Sequence, residues 1–297
     1  LNIFTPFKLL LVQKFLIMKR LILISTLFVA QLFLGSLNAQ SYLQERVEAK
    51  GHLFIHGGAP MNDQMAKDFI AVAPKGKINA VIIPYASPSE KSSEAMKSYL
   101  LKHGVASCTI ISLENPEVDS PENLKLLSEA TMVYFTGGSQ KKLARRMGKS
   151  ELLKKVKELY KSGGAVGGTS AGASIMGRLM PTGIEFGTTD PKKKFTTIEQ
   201  GKIEVIEGFG MVQNFIIDQH FLIRKRANRL FSVILDNPTQ RGIGIDEPAA
   251  IMVKPNSSFE VLGDGKVLVY EPLNLTTPNE APAILVKILS PGDIYKF

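Results

Sequence analysis

A chain of 297 residues is long enough to bury a full hydrophobic core and to hold one domain or two. Its formal charge of +9 comes partly from residues 1–39, which carry Lys8, Lys14, Lys19 and Arg20 and no acid; the remainder is only mildly basic, and no clustered basic face of the kind that binds nucleic acid is visible. Cys108 is the only cysteine, so an internal disulfide is excluded, and with four histidines a Cys/His zinc site has no support; no metal and no cofactor is expected.

From Met18 the sequence reads Met-Lys-Arg, then an apolar run over 21–34, then Gly35-Ser36-Leu37-Asn38-Ala39. A basic start, an apolar centre and a small residue before the cut describe a secretory signal peptide, cleaved after Ala39. The run is shorter than the ~20 residues a membrane span needs. Residues 1–17 then read as an upstream extension, 40–50 as a polar lead-in, and 51–297 as one domain, exported to a periplasm or beyond and without a stable span after processing.

Short β-branched runs at 52–56, 80–85, 106–113, 132–136 and 165–168 alternate with amphipathic stretches at 63–73, 88–103, 121–130 and 140–162. Pro88 and Pro121 suit first helical turns, and Gly104 and Gly163-Gly164 suit helix ends. Apolar strands alternating with helices predict a three-layer α/β fold, a mostly parallel sheet with helices on both faces. Cys108 falls within a strand and reads as a small buried hydrophobe. Beyond Ser170 the pattern loosens into a short helix at 172–179 and a polar insertion at 181–208, with a solvated run at Lys192-Lys193-Lys194. A strand at 215–218, a helix at 222–235 and a strand at 242–245 follow. From residue 250 the reading is β-meander, with a hairpin turn at Asp264-Gly265.

Gly168-Thr169-Ser170-Ala171-Gly172 fits G-x-S-x-G, and a β-run enters it while a small-residue helix leaves it. Such a turn lifts a serine hydroxyl into the open, and flanking glycines leave room for its strained backbone. The following helix start adds positive potential where an oxyanion would develop. Gly57-Gly58 and Gly163-Gly164 resemble phosphate turns, but no G-x-G-x-x-G or Walker pattern accompanies them.

A serine nucleophile needs a base. His103 ends a helix and reads as a capping residue; His52 and His56 bracket the first strand, and His56 beside Gly57-Gly58 can approach a site. His220 ends the apolar run 215–220, at a strand's carboxyl edge. The third member is a carboxylate that fixes the imidazole tautomer. Asp246 and Glu247 follow the strand 242–245, and since neighbours on a strand face opposite ways only one of them faces the site. The order Ser, His, acid differs from the Ser, acid, His of an α/β-hydrolase, which argues against a lipase or esterase of that fold.

Four segments in order, Phe135-Thr136-Gly137-Gly138-Ser139-Gln140, Gly168 to Gly172, Asp218-Gln219-His220-Phe221 with Arg224, Arg226 and Arg229, and Gly242 to Glu247, resemble those of the cyanophycinase-like serine peptidases, the family that also contains aspartyl dipeptidase. The likeness spans 51–297. It implies a flavodoxin-like or class I glutaminase-like fold, Ser170 as nucleophile, His220 as base and Glu247 as its orienting acid. It further implies an oxyanion hole from the N–H groups of Gly138 and Ala171, and substrate contacts from Gln140, Asp218, Gln219, Arg224, Arg226 and Arg229. A homodimer is implied as well. On a helix over 222–235, Arg226 and Arg229 share one flank of the apolar stripe, where two guanidiniums fork onto carboxylates, and Arg224 on the other flank braces the loop. Ser139, Lys225 and Pro248 depart from the family pattern, which bears on the substrate more than on the triad.

The expected activity is a secreted serine exopeptidase or isopeptidase that acts on a peptide or polypeptide with acidic and arginine groups, cyanophycin or a related β-Asp-Arg peptide, through an acyl-enzyme. An aspartyl-dipeptidase-like enzyme on short acidic peptides and a catalytically silent binding protein on the same scaffold are the alternatives.

Overall fold

The computed structural model of the chain describes residues 49–115, 117–274 and 282–297. The expected signal peptide and nearly all of the lead-in lie outside them.

The first half builds β1 (His52–His56), α1 (Asp63–Ala71), β2 (Asn79–Ile83), α2 (Lys91–Lys102), β3 (Ser107–Ile110), α3 (Pro121–Glu129), β4 (Met132–Phe135), α4 (Gln140–Met147), α5 (Glu151–Ser162) and β5 (Ala165–Thr169). Five strands pair in parallel in the order β1-β5-β4-β2-β3. Their near-continuous apolar runs reflect burial on both faces. The stretch expected as one helix over 140–162 is two. Ser150 accepts from the Leu153 N–H, and the Asp119 carboxylate accepts from the Glu151 and Leu152 N–H groups at 3.0 and 2.8 Å. These acceptors satisfy the orphan donors of a new helix start just past Gly148.

The second half holds α6 (Ala171–Ser174), β6 (Gly177–Glu185), β7 (Ile203–Glu207), β8 (Val212–Gln219), α7 (Ala227–Asp236), β9 (Arg241–Ile245), β10 (Ala249–Lys254), β11 (Ser258–Gly263), β12 (Val267–Pro272), β13 (Ile284–Leu289) and β14 (Ile294–Lys296). β10, β11 and β14 extend the first sheet in antiparallel fashion, and the others form a second sheet, β13-β12-β9-β8-β6-β7. Several expectations are corrected here. The helix at 172–179 is a single turn, because β6 begins at Gly177. Much of the insertion at 181–208 is strand, β6 pairing antiparallel with β7. Asp264-Gly265 closes no hairpin: β11 and β12 belong to different sheets, and both turn N–H groups donate to Pro248 O.

Three layers of packing follow from the period-two alternation of strand side chains. Phe54, Ile82 and Tyr134 meet Met65 and Phe69 of α1 and Leu100 of α2 on one face of the first sheet. On its other face Leu53, Ile55 and Val133 pack with α3 to α5 and with Phe215, Ile217, Ile243 and Ile245 of the second sheet. Ile216, pointing the opposite way from Phe215 and Ile217, meets Leu230 and Ile234 of α7. Each large side chain so buried contributes about 1.5–3 kcal/mol. The seam between the sheets is therefore held by apolar burial, and it brings the carboxyl ends of β1, β4, β5, β8 and β9 together.

Candidate active site

Ser170 lies between β5 and α6 with φ 54° and ψ −112°, a conformation that non-glycine residues rarely adopt. The surrounding backbone leaves no alternative. A β-carbon at Gly168 would sit 2.5 Å from Gly172 O, and one at Gly172 would sit 2.4 Å from Phe135 O. The Ser170 N–H donates to His56 O at 3.0 Å, which ties the turn to β1.

His220 follows β8 on the second sheet, yet its N–H donates to Gly57 O of the first at 2.8 Å. Its ring rests against Gly58, where an added β-carbon would lie 2.2 to 2.3 Å from Cε1 and Nδ1. Only glycine fits there, all the more because Gly58 has φ 135°. His220 itself takes φ 48°. From this seat His220 Nε2 lies 2.8 Å from Ser170 Oγ, and Nδ1 is in hydrogen-bond contact with Glu247 Oε1. With Nδ1–H donating to the carboxylate, Nε2 is left as the acceptor of the serine proton. Asp246, the adjacent acid, faces away: its Oδ1 accepts from the Leu222 and Ile223 N–H groups at 2.9 and 3.0 Å and fixes the loop after His220.

Burial is the main influence on the imidazole and moves its pKa below 6.5, partly opposed by Glu247 and assisted by the positive charge of Arg224. The ring is thus mostly neutral at pH 7. His56, 1 % exposed, lies beneath the site with Nδ1 3.0 Å from Thr169 Oγ1, and burial draws it down to about 4. It is a neutral part of the floor. His103, at the end of α2, bonds Tyr99 O and Asp63. Cys108 is buried in β3, and burial raises its thiol to about 11.

Gly137 and Gly138 follow β4 beside the serine: a β-carbon at Gly137 would be 3.3 Å from Ser170 Cβ. Ser139 caps α4 by accepting from the Lys142 N–H. The N–H groups of Gly138 and Ala171 have no acceptor among the described residues. Because α6 is one turn, the individual N–H groups, rather than a long helix dipole, are what this corner offers an anion.

The remaining residues divide in a way the sequence did not indicate. Gln219 Oε1 lies 3.3 Å from Ser170 Oγ, at the hydroxyl. Gln140 is buried and donates to Pro181 O at 2.9 Å. Asp218 is fully buried; Arg229 Nε donates to its Oδ2 at 2.8 Å and Nη2 contacts its Oδ1. Arg226 donates to Gln219 O at 2.6 Å and lies 3.5 Å from Asp218. Arg226 and Arg229 are thus engaged by Gln219 and Asp218 of their own chain, and they do not lie on one flank of a helix from residue 222 as expected. The reason is local: Lys225 takes φ 53°, the Arg226 N–H bonds Phe221 O, and the helix begins only at Ala227. Residues 222–225 form a tight loop instead, and Arg224 stands exposed on it with no side-chain hydrogen bond or ion pair among the described residues. Gly58 escaped sequence reasoning as the seat of the imidazole, although the Gly57-Gly58 pair ending a strand was its signal.

Comparison with known proteins identifies the family. Residues 52–261 match the model of peptidase family S51. The chain is 28 % identical over 235 residues to the cyanophycinase of Synechococcus elongatus, covering 74 % of this chain and 70 % of that one. It is 29 % identical over 221 residues to the cyanophycinase of a Nostoc species, covering 73 % and 71 %. The crystal structure of a peptidase from an acI-B1 Actinobacterium superposes with a TM-score of 0.61 at 25 % identity, over 86 % of this chain and all of the other. The family match spans well over half of the sequence, and on that ground the chain belongs to peptidase family S51 and is a serine-type peptidase.

Proposed function

We propose that the chain is an exported exopeptidase or isopeptidase that hydrolyses cyanophycin or related β-Asp-Arg peptides, with Ser170, His220 and Glu247 as its catalytic triad. The observation that carries this reading is the unbroken relay from Ser170 Oγ through the neutral His220 ring to Glu247, mounted on a strained turn. His220 Nε2 takes the hydroxyl proton as Oγ attacks the scissile carbonyl carbon. The carbonyl oxygen, now negative, accepts from the Gly138 and Ala171 N–H groups. Collapse breaks the C–N bond, His220 returns its proton to the leaving amine, and an ester remains on Ser170. A water, deprotonated by His220, then adds to that ester, and the acid is released with Oγ reprotonated. Glu247 holds the ring in the required tautomer and stabilises the imidazolium formed in each half-reaction.

Arg224 supplies the exposed cation for a substrate carboxylate, and Gln219 sits against the nucleophile. The relatives known as cyanophycinases support the substrate, and the apolar run at 21–34 supports export. The test is product analysis on purified cyanophycin with the wild-type chain and with Ser170→Ala. Release of β-Asp-Arg dipeptide by the first alone is expected. Turnover retained by the variant would overturn the mechanism, and cleavage confined to Asp-X dipeptides would move the substrate to short acidic peptides.

A further inference from the structure

Outside the triad, the clearest unassigned feature is a cationic cleft whose wall at Ser87 packs against Gly138. It encloses about 460 Å³ between Ser87, Pro88 and Leu113 on one side and Lys142, Arg145 and Arg146 of α4 on the other. Arg146 is fixed, its guanidinium 3.9 Å above the Tyr85 ring and donating to Asn115 O at 2.9 Å. Lys142 and Arg145 are different. They are exposed, three residues apart on one helix face, and neither has an ion-pair partner among the described residues. Lys141 next to them is already neutralised by Glu204 at 2.9 Å.

The cleft is joined to the nucleophile. Gly137 abuts Ser170, and a β-carbon at Gly138 would lie 3.1 Å from the N atom of Ser87, on the cleft wall. A second cleft beyond Arg145 and Arg146 mixes Lys149 with Glu117, Asp119 and Glu207, so the stretch of uncompensated positive charge is short.

We infer that Lys142 and Arg145 form an extension subsite for carboxylates carried on the substrate chain beyond the residues that flank the bond being cut. The inference rests on Ser170 marking the scissile bond, and in a β-Asp-Arg substrate the groups that would meet the subsite are the free α-carboxylates of the arginines. A polymer with one arginine for every aspartate engages the strip only through its free carboxylates, whereas an acidic peptide engages it fully.

The test is the binding of a fluorescently labelled oligo-aspartate to the full chain, read by anisotropy, with an oligo-serine of equal length for comparison. Lys142→Glu with Arg145→Glu is expected to weaken oligo-aspartate binding about tenfold at low salt and to flatten its salt dependence. Lys67→Glu on α1 with Lys75→Glu in the turn after it, the same change in net charge, is expected to leave it unchanged. Equal affinity in the first pair, or an equal loss in the second, would overturn the subsite. Fluorophosphonate labelling of Ser170 reports whether each variant is folded. If the reversal prevents folding, Lys142→Gln with Arg145→Gln is expected to give a loss of about threefold. Wild-type protein that binds oligo-aspartate through this strip but takes no fluorophosphonate would sink the hydrolase reading and leave the strip standing.

Discussion

Replacing Glu247 by Gln removes one negative charge while keeping the side chain's shape, and two independent arguments give the size of the effect. The imidazolium formed during acyl transfer loses an opposite charge in direct contact, and a pair a few ångströms apart is worth about 4 kcal/mol at the effective dielectric of a near-surface site. The corresponding change in a well-known Ser-His-Asp enzyme lowers turnover about 10⁴-fold, because the amide favours the wrong ring tautomer. A fall of 10³- to 10⁴-fold in the rate of fluorophosphonate labelling is therefore expected, a measure that needs no natural substrate. The pH profile gives the second readout. Burial already holds His220 below 6.5 and Glu247 raises it, so losing the carboxylate lowers the imidazole further and moves the acid limb to lower pH. A variant that labels within about tenfold of wild type, with an unmoved limb, would refute the assignment of Glu247 as the partner of His220.

Three further outcomes follow from the same contacts. Arg224→Gln removes a cation that depresses the His220 pKa, so the acid limb should move upward toward 6.5, with no change in urea midpoint at this exposed loop position. Arg229→Leu leaves the Asp218 carboxylate buried beside Arg226 alone and should cost about 3–5 kcal/mol in urea denaturation, much of it restored when Asp218→Asn is added. Gly58→Ala places a methyl group into the His220 ring; a folded protein with abolished fluorophosphonate labelling is expected, and normal labelling would show that Gly58 does not seat the imidazole.

What could be read in the sequence was whatever depends on neighbours along the chain. The strands at 52–56 and 132–136 and the elbow around Ser170 are local: β-branched runs and a G-x-S-x-G turn announce themselves. The split of the long helix was nearly legible, since Gly148 followed by Ser150 and Glu151 is a stop and a start. The pairing of β12 with β9 and of β8 with β6 was not, because it is decided by burial between segments far apart in sequence. The internal partners of Arg226 and Arg229 were hidden for a related reason. A helical pattern from Leu222 predicts two outward guanidiniums, but the left-handed Lys225 delays the helix, and Asp218, eleven residues before Arg229, claims its charge.

That buried pair and the seam between the sheets explain how the site keeps its geometry. Ser170 and His220 both sit at positive φ, a cost of about 1–3 kcal/mol each that persists only where surrounding packing fixes the backbone. Ser170 is held by the first sheet through His56 O. His220 is held by both, since Phe221 donates to Ile245 O of the second sheet while His220 donates to Gly57 O of the first. Glu247 lies in the short link from β9 to β10, where the chain passes between the sheets. Each member of the relay is therefore anchored at the seam, and a shift of one sheet against the other would break both contacts of the imidazole at once. Asp218, at the end of β8, and Arg229, on α7, brace the strand end that carries His220, so loosening this pair should slow labelling of Ser170 without any direct contact between Arg229 and the serine.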